Sequence, residues 1–252
     1  MEEIVKKIDD CLAEFAPITL EEMSGIRLMN RIDTKFLVNV NQLPTLLEMA
    51  QKDYYVQEIG SLRKAYYRTL YYDTPSAEMY VVHHNQKLNR QKIRIREYVD
   101  SNLIYFEVKR KSNKGRTSKK RITVTDENVL TNSEAIAFLD EKSDYRMDEV
   151  DFRLRNNFYR ITLVNKEKSE RLTIDYDINF KNCVTGIDNT IPHLCIVEVK
   201  QDGNAFSHFK KYLSKLRIKQ RSVSKYCLGM VLTDPGLKQN RFKEKVNYIN
   251  KL

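Results

Sequence analysis

RQKIRIREYVDSNLIYFEVKRK, residues 90–111, alternates charged and apolar side chains through two segments that a polar turn separates. This period of two is typical of β-strands, because successive side chains point to opposite faces of a sheet. Ile93 and Ile95 share one face of the first segment. The other face is wholly basic and consists of Arg90, Lys92, Arg94 and Arg96. The stretch therefore predicts two paired strands with a basic face and an apolar face.

Similar β-prone segments lie on both sides of this stretch. They are residues 31–40, 64–73, 87–99, 102–111, 119–125, 152–165, 171–180 and 193–200. Helical periodicity is found between and around them, in residues 1–15, 21–29, 41–50, 75–80, 132–141, 204–216, 224–232 and 238–252. No linker interrupts the series. We therefore expect one α+β domain over residues 1–252, in which helices pack outside an antiparallel sheet that closes into a barrel.

A short acid-x-Lys pattern recurs on the charged faces of three predicted strands. It is formed by Asp33 and Lys35, by Glu107 and Lys109, and by Glu198 and Lys200. One interpretation is an ordinary half-buried sheet whose charged face is solvated. The other is a closed sheet with these faces inward, which makes a cationic tunnel with a few carboxylates. Such an interior is stable only when a polyanion, or water and ions, fills it.

The overall charge agrees with an anionic partner. The chain has 44 Lys and Arg against 34 Asp and Glu, a net charge of +10, which fits nucleic acid, anionic lipid or a phosphate compound. The four cysteines are far apart and form no CxxC pair, so neither a zinc site nor a disulfide framework is predicted. No secretory signal and no apolar run of the roughly 20 residues that span a bilayer is present. We expect a soluble, cytoplasmic protein.

Phosphate would have to be bound by side chains rather than by a glycine-rich loop. The sequence has neither GxxxxGK[ST] nor GxGxxG, and it contains only 7 glycines. Phosphoryl transfer requires that the phosphates are positioned and their charge neutralised, which Lys, Arg and a divalent metal provide. A carboxylate among these bases is explained as a ligand of Mg²⁺ or Mn²⁺. For Glu107, a simple salt bridge explains the residue equally well.

Nine short motifs occur in the order found in one known family. They are RIDTKF (31–36), YYDT (71–74), KIRIR (92–96), FEVK (106–109), SKKR (118–121), FYR (158–160), LTID (172–175), VEVK (197–200) and SVSKY (222–226). This series resembles the vacuolar transporter chaperone (VTC) domain of the triphosphate tunnel metalloenzyme superfamily, the catalytic part of ATP-dependent polyphosphate polymerase. The resemblance extends from about residue 20 to about residue 232.

The resemblance implies an eight-stranded antiparallel tunnel in which ATP donates its γ-phosphate to a growing polyphosphate chain, assisted by Mn²⁺ or Mg²⁺. The implied catalytic, phosphate-binding bases are Lys35, Arg94, Arg96, Lys109, Arg160, Lys200 and Lys225. Lys92 and Arg31 are expected to add to them, as is one of Lys119 and Lys120, with Lys120 preferred. Glu198 is implied as the metal ligand, and Glu107 and Asp175 as further acidic residues of the tunnel.

Three departures from the family pattern leave alternatives open. Asp33 and Arg31 stand where many tunnel enzymes have an acid-x-acid-x-Lys pattern, which separates this chain from the triphosphatase and adenylate cyclase branch. No phosphate-sensing domain or membrane segment is present, so export of a polymer would require a membrane-protein partner. Some family members are accessory proteins. The other hypotheses are a triphosphate or polyphosphate hydrolase and a non-catalytic binding module. For the basic residues 109–121, a solvated hairpin is preferred over contact with nucleic acid.

Overall fold

A computed structural model describes residues 2–24, 31–203 and 205–252. For Ser24 and Arg31 it describes the backbone only. The strands are β1 (Pro17–Ile18), β2 (Arg31–Asn39), β3 (Tyr54–Gln57), β4 (Ala65–Asp73), β5 (Arg90–Tyr98), β6 (Leu103–Lys111), β7 (Thr117–Val124), β8 (Asp151–Asn165), β9 (Glu170–Asn182), β10 (Asp188–Ile191) and β11 (Leu194–Asp202). The helices are α1 (Glu2–Ala13), α2 (Leu20–Ser24), α3 (Leu43–Ala50), α4 (Glu78–His84), α5 (Ser133–Lys142), α6 (His208–Lys215), α7 (Lys225–Thr233) and α8 (Lys243–Ile249).

All the strands belong to one sheet. Its main path has the order β2-β11-β9-β8-β4-β5-β6-β7, and each neighbouring pair on this path is antiparallel. The strands of this path correspond to the eight predicted segments. β10 pairs with β9, β3 pairs with β8, and β1 runs parallel to β3. The prediction of a mixed α+β fold with an antiparallel sheet and helices outside is confirmed.

The predicted closure into a barrel is not confirmed. Over the described residues, β2 hydrogen-bonds along the main path only to β11, and β7 only to β6, so the two end strands do not pair with each other. The sheet is nevertheless curled. Lys109 on β6 lies near enough to Glu198 on β11 and Lys35 on β2 for both charges to act on its pKa. β7 is an exposed, strongly basic strand, which is a common way to prevent an edge from pairing.

The two faces of the sheet differ as the alternation predicts. One face is apolar, and α1, α3 and α6 cover it over β2, β11, β9 and β8 through a core that includes Val197, Val199 and Ile174. α5 covers the same face over β4 to β7 against Ile93 and Phe106. Burial of each such side chain stabilises the fold by about 1.5–3 kcal/mol, so this face fixes the strand register. The charged residues are thereby directed to the opposite face, which we call the charged face.

α7 and α8 pack against one end of the charged face, whereas α1, α3, α5 and α6 cover the apolar face. α7 and α8 cover the apolar residues of that end, among them Leu154 and Phe180. Gly229 permits the close approach of α7, because a Cβ there would lie 2.5 Å from Leu154 Cδ2 and 2.5 Å from Phe180 Cδ1. Ser224 caps the helix by accepting the Cys227 N–H through its Oγ at 3.3 Å. The first residue of α7, Lys225, is therefore held firmly against the charged face.

Several predicted helices begin later than expected, among them α6 at His208 instead of residue 204 and α8 at Lys243 instead of residue 238. α4 begins at Glu78 rather than Pro75, because the buried Asp73 carboxylate accepts the N–H groups of Met79 and Tyr80 and so defines the first turn. The predicted helix at 21–29 lies partly outside the described residues, and its described part ends at Ser24. No helix in the described ranges has the length and apolar character required to cross a membrane.

Candidate functional site

The first group of charged side chains lies where β8 and β9 meet α7. Arg160 and Asp175 are directly opposite each other, and the Arg160 guanidinium donates Nε to Oδ1 at 2.6 Å and Nη2 to Oδ2 at 2.7 Å. Lys225 Nζ donates to the same Oδ2. Burial raises the pKa of Asp175, but Arg160 and Lys225 outweigh this effect and hold the pKa well below its ordinary value. Asp175 is therefore an ionised, buried carboxylate between two bases.

A second group joins β2 and β11 and has the same arrangement. Glu198 faces Lys35 across the two strands, and Lys35 Nζ donates to Oε1 of Glu198. Lys200, two residues further along β11, lies with its Nζ 3.0 Å from Oε2. Burial raises the pKa of Glu198, but Lys200 and Lys35 lower it by more, so the net shift is well below the ordinary value. Both oxygens of this carboxylate have a lysine partner.

The third group is centred on Glu107 of β6, which is fully buried. Its Oε2 lies 2.7 Å from Arg94 Nη2, and its Oε1 accepts from Lys119 Nζ at 2.9 Å. Burial raises the pKa of Glu107, but Arg94, Arg96 and Lys119 lower it to about 2. The sequence preference for Lys120 was wrong: Lys119 lies opposite Lys109, whereas Lys120 lies opposite Val108 and so points to the other face.

Other bases on the charged face have no carboxylate partner within the described chain. Arg96 is 8% exposed, and its Nε donates to Thr69 Oγ1 at 3.4 Å. Lys92 donates its Nζ to Ser224 Oγ at 2.8 Å, so a neutral hydroxyl is its partner. Burial lowers the pKa of both residues, and Arg94 lowers both further. Buried cations without counter-ions are costly, which indicates that an anion belongs beside them.

A row of three lysines crosses three neighbouring strands. Lys92 is directly opposite Lys109, and Lys109 is directly opposite Lys119. Like charges in such positions repel and destabilise a sheet. Lys109 is accessible to solvent, yet the surrounding protein, with Arg94 and Lys92, lowers its pKa to about 8. Lys109 is thus a solvent-accessible lysine whose charged form is disfavoured by the protein and the bases around it.

Aromatic rings support the cations in the middle of the face. Phe158 and Tyr67 stack with their centroids 5.4 Å apart. Lys225 Nζ lies 3.6 Å from the Phe158 centroid, and the Arg160 guanidinium lies 5.0 Å from that of Tyr67. Burial lowers the pKa of Lys225 to about 7, with Arg160 and Arg96 acting in the same direction against Asp175. The sequence prediction missed Phe158, Tyr67 and Ser224, although Phe158 lies two residues before Arg160 and so shares its face.

We call the set of groups described above the central site. Its bases are Lys35, Lys92, Arg94, Arg96, Lys109, Lys119, Arg160, Lys200 and Lys225, and its carboxylates are Glu107, Asp175 and Glu198. Arg31 belongs to β2, but its side chain lies outside the described residues. Apart from Lys120 and Arg31, the predicted residues lie on the charged face together. Bases clearly exceed acids, so the site carries a positive charge that side chains alone do not neutralise.

The donor set does not form a metal cage by itself. The described residues contain no group of three or more His, Cys, Asp or Glu side chains arranged to hold an ion. Each of Glu107, Asp175 and Glu198 already has bases at both oxygens. Mg²⁺ usually takes only one or two carboxylates and completes its shell with phosphate and water. The residues therefore fit a metal only if phosphate supplies most of its ligands.

Acidification is expected to destabilise the fold through Glu107. Its folded pKa of about 2 lies below its ordinary value of 4.5, so its ion pairs stabilise the fold fully above pH 4.5 and lose their effect as the pH falls towards 2. The contribution is about 3 kcal/mol at 1.36 kcal/mol per pH unit. Urea unfolding at a series of pH values measures it. In the Glu107→Gln variant the acid-dependent loss should be smaller by this amount; an unchanged loss would contradict the assignment.

Taken together, the fold and the central site define a class of protein: an antiparallel-sheet protein with Lys and Arg side chains gathered on one face of the sheet. Residues 30–233 match the model of the VTC domain, which is most of the chain, so the protein belongs to the VTC domain family. The sequence resemblance to this family is thereby confirmed. A comparison with curated protein sequences gives no significant match.

Several solved structures have a similar chain path at low sequence identity. A putative adenylyl cyclase from Hippeastrum, described as having a dominant triphosphatase activity, is 15% identical, with 81% of this chain and 96% of that chain covered and a TM-score of 0.49. A protein from Pyrococcus horikoshii OT3 is 13% identical, with coverages of 80% and 98% and a TM-score of 0.42.

Proposed function

We propose that this protein is an ATP-dependent polyphosphate polymerase, which transfers the γ-phosphate of ATP to the end of a growing polyphosphate chain on the charged face. The observation that carries the proposal is the row of Lys92, Lys109 and Lys119, in which only Lys119 has a carboxylate partner among the described residues. A chain of phosphates matches such a row, because it can place one negative charge after another across the neighbouring strands. Membership of the VTC family supports the same substrate class.

The bases have two roles in this proposal. Arg94, Arg96 and Arg160 present planar guanidinium groups, which hold phosphate oxygens by paired hydrogen bonds and fix their direction. The lysines are mobile point charges that can follow the charge as it moves from the γ-phosphate to the leaving diphosphate. Acceleration then comes from alignment of donor and acceptor and from charge neutralisation, since phosphoryl transfer needs little covalent help from the protein.

The carboxylates position these bases. Asp175 fixes the guanidinium of Arg160 through two hydrogen bonds, and Glu107 fixes that of Arg94. Glu198 would be the residue to hold a divalent metal, Mn²⁺ or Mg²⁺, whose chemistry is to neutralise phosphate charge and bridge phosphate oxygens. Its lysine partners, Lys35 and Lys200, would turn towards the phosphates when it does so.

Hydrolysis is the second candidate, and one observation disfavours it. A hydrolase requires a group that accepts a proton from the attacking water. The carboxylates of the central site have strongly lowered pKa values, and bases occupy both oxygens of each. These carboxylates are therefore poor proton acceptors, so hydrolysis here would need another base such as Lys225, whereas a phosphate oxygen of the primer needs no deprotonation before it attacks.

The test is an analysis of products. Purified protein with ATP, Mn²⁺ and a pyrophosphate primer should yield ADP and long polyphosphate chains on gel electrophoresis. Lys200→Ala and Lys225→Ala should each reduce chain synthesis roughly 100-fold, because each removes a base from the central site. Lys211→Ala, an exposed lysine on α6, is the matched control and should have no effect. Free phosphate as the sole product would indicate a hydrolase, and chain binding without turnover would indicate a binding module.

A further inference from the structure

The turn between β6 and β7 forms a strongly basic surface beyond the central site. Residues 109–121, which we call the basic hairpin, contain eight Lys and Arg among 13 residues and no acid. The turn is well defined: the Ser112 N–H donates to the Arg116 carbonyl at 2.8 Å, and Gly115 has a φ of +75°. Glycine suits this position, because other residues are strained at positive φ.

The hairpin extends the bases of the charged face along β5 and β6, outward from the central site. One step beyond Lys92 and Lys109, Arg90 lies directly opposite Lys111, on the same face. Lys114 and Arg116 follow in the turn and are exposed. Across the described part of the chain, Lys111, Lys114 and Arg116 have no carboxylate within ion-pair distance. The bases therefore form a continuous track from the central site to the tip of the hairpin.

Several bases elsewhere on or beside the same sheet have a carboxylate partner. At the opposite end of the strands, Lys64 lies 2.6 Å from Asp9, and Arg68 lies 3.4 Å from Glu97. On the other face of the hairpin itself, Arg110 lies 2.7 Å from Asp144. Within the described residues, the charged-face side of the hairpin from Lys111 to Arg116 has no such ion pair, in contrast to Arg110 on its other face.

Protection of an exposed edge strand explains part of this charge. Lysines on an edge prevent unwanted pairing with other sheets. Edge protection alone, however, does not explain why acidic residues are absent from the hairpin. It also does not explain why the bases lie on the same face as the central site. A track of unpaired bases that starts at the central site fits one long, flexible polyanion bound along its length.

We propose that the basic hairpin binds the part of a polyphosphate chain that extends beyond the central site. This inference rests on the proposed function, since the chain is its product. It assigns a direction to the chain: the segment farthest from the reacting end lies along β6 and β7 towards Lys114 and Arg116. The hairpin therefore contributes to the binding of long chains and little to that of short ones.

Binding of two probes by the full-length protein tests this proposal. Lys111, Lys114 and Arg116 are changed together to Gln, and affinities for tripolyphosphate and long-chain polyphosphate are measured over a range of salt concentrations. The ratio of the two affinities should shift roughly tenfold against the long chain. For the long chain, the slope of log affinity against log salt concentration should become shallower by about 2, because each contact with a single-stranded polyanion contributes about 0.7. A variant with Lys6, Lys52 and Lys211 changed to Gln loses the same charge elsewhere and should bind both probes like the wild type.

The outcomes separate this inference from the proposed function. If the hairpin variant binds both probes like the wild type, or loses affinity equally for both, the hairpin has no specific role and the inference fails, whereas the proposed function stands. If the control variant loses as much as the hairpin variant, net charge alone explains the result and the inference fails. If the wild type binds a single-stranded oligonucleotide of equal charge more tightly than polyphosphate, polyphosphate is not the ligand of the hairpin and the inference fails. If the wild type binds neither phosphate probe, the proposed function fails first.

Discussion

Glu198→Gln is expected to reduce ATP turnover roughly 100- to 1,000-fold and to leave polyphosphate bound at least as tightly as in the wild type. The two effects have different causes. Turnover falls because the carboxylate that orders Lys35 and Lys200, and that would hold a metal, is lost. Binding persists because the change removes a negative charge from a site that attracts an anion. Parallel assays of chain synthesis and of polyphosphate binding measure both effects.

Glu97→Gln provides the matched control for this experiment. Glu97 is also a half-buried glutamate of the sheet, with a side chain 19% exposed against 18% for Glu198, and it pairs with Arg68 at 3.4 Å. It lies outside the central site, so turnover should stay near the wild-type level. If Glu198→Gln retains full turnover, Glu198 is only a salt-bridge partner; if it loses polyphosphate binding as well, its main role is to maintain the structure of the site.

Asp175→Asn is expected to cost about 3–5 kcal/mol of stability, because it leaves two buried bases without a counter-ion. Asp175 is 5% exposed, and the side chains of Arg160 and Lys225 that bind it are 16% and 12% exposed. Urea unfolding should show the loss as a lower midpoint with an unchanged slope. Added polyphosphate should restore more stability to the variant than to the wild type, since phosphate oxygens replace the missing carboxylate.

An exposed pair of the same type is the reference for that measurement. In Asp144→Asn the lost partner is Arg110, at 2.7 Å, but both side chains are largely in contact with water. The loss there should stay below about 1 kcal/mol. If the two variants lose similar stability, the Asp175 cluster is not acting as a buried charge network. If polyphosphate fails to stabilise Asp175→Asn preferentially, these bases do not contact the chain.

The sequence predicts the faces of the strands well, because alternation is a local property. Lys92, Arg94 and Arg96 were assigned to one face without knowledge of their neighbours, and the register places them there. The choice between Lys119 and Lys120 depends instead on how the turn at 112–116 aligns β7 with β6. A shift of one residue exchanges the faces, and no local pattern in SKKR distinguishes the two possibilities.

Features that depend on distant parts of the chain were not predicted. β1, β3 and β10 have only two to four residues, which is too few to display a period of two. They are strands because β3 pairs with β8, β10 pairs with β9 and β1 pairs with β3. The position of Ser224 beside Lys92 results from the packing of Gly229 against β8 and β9. The predicted closure into a barrel, which is not confirmed, likewise depends on the overall curl of the sheet.

The carboxylates that each lie between two bases make the central site comparable to an ion-exchange resin. Glu107, Asp175 and Glu198 act as resident counter-ions, so a phosphate group that reaches Arg94, Arg160 or Lys200 must displace a carboxylate from that base. A small monovalent ion such as chloride gains little from a single exchange. A chain of adjacent phosphates makes several exchanges at once, so the site selects for valence and length before any specific contact is formed.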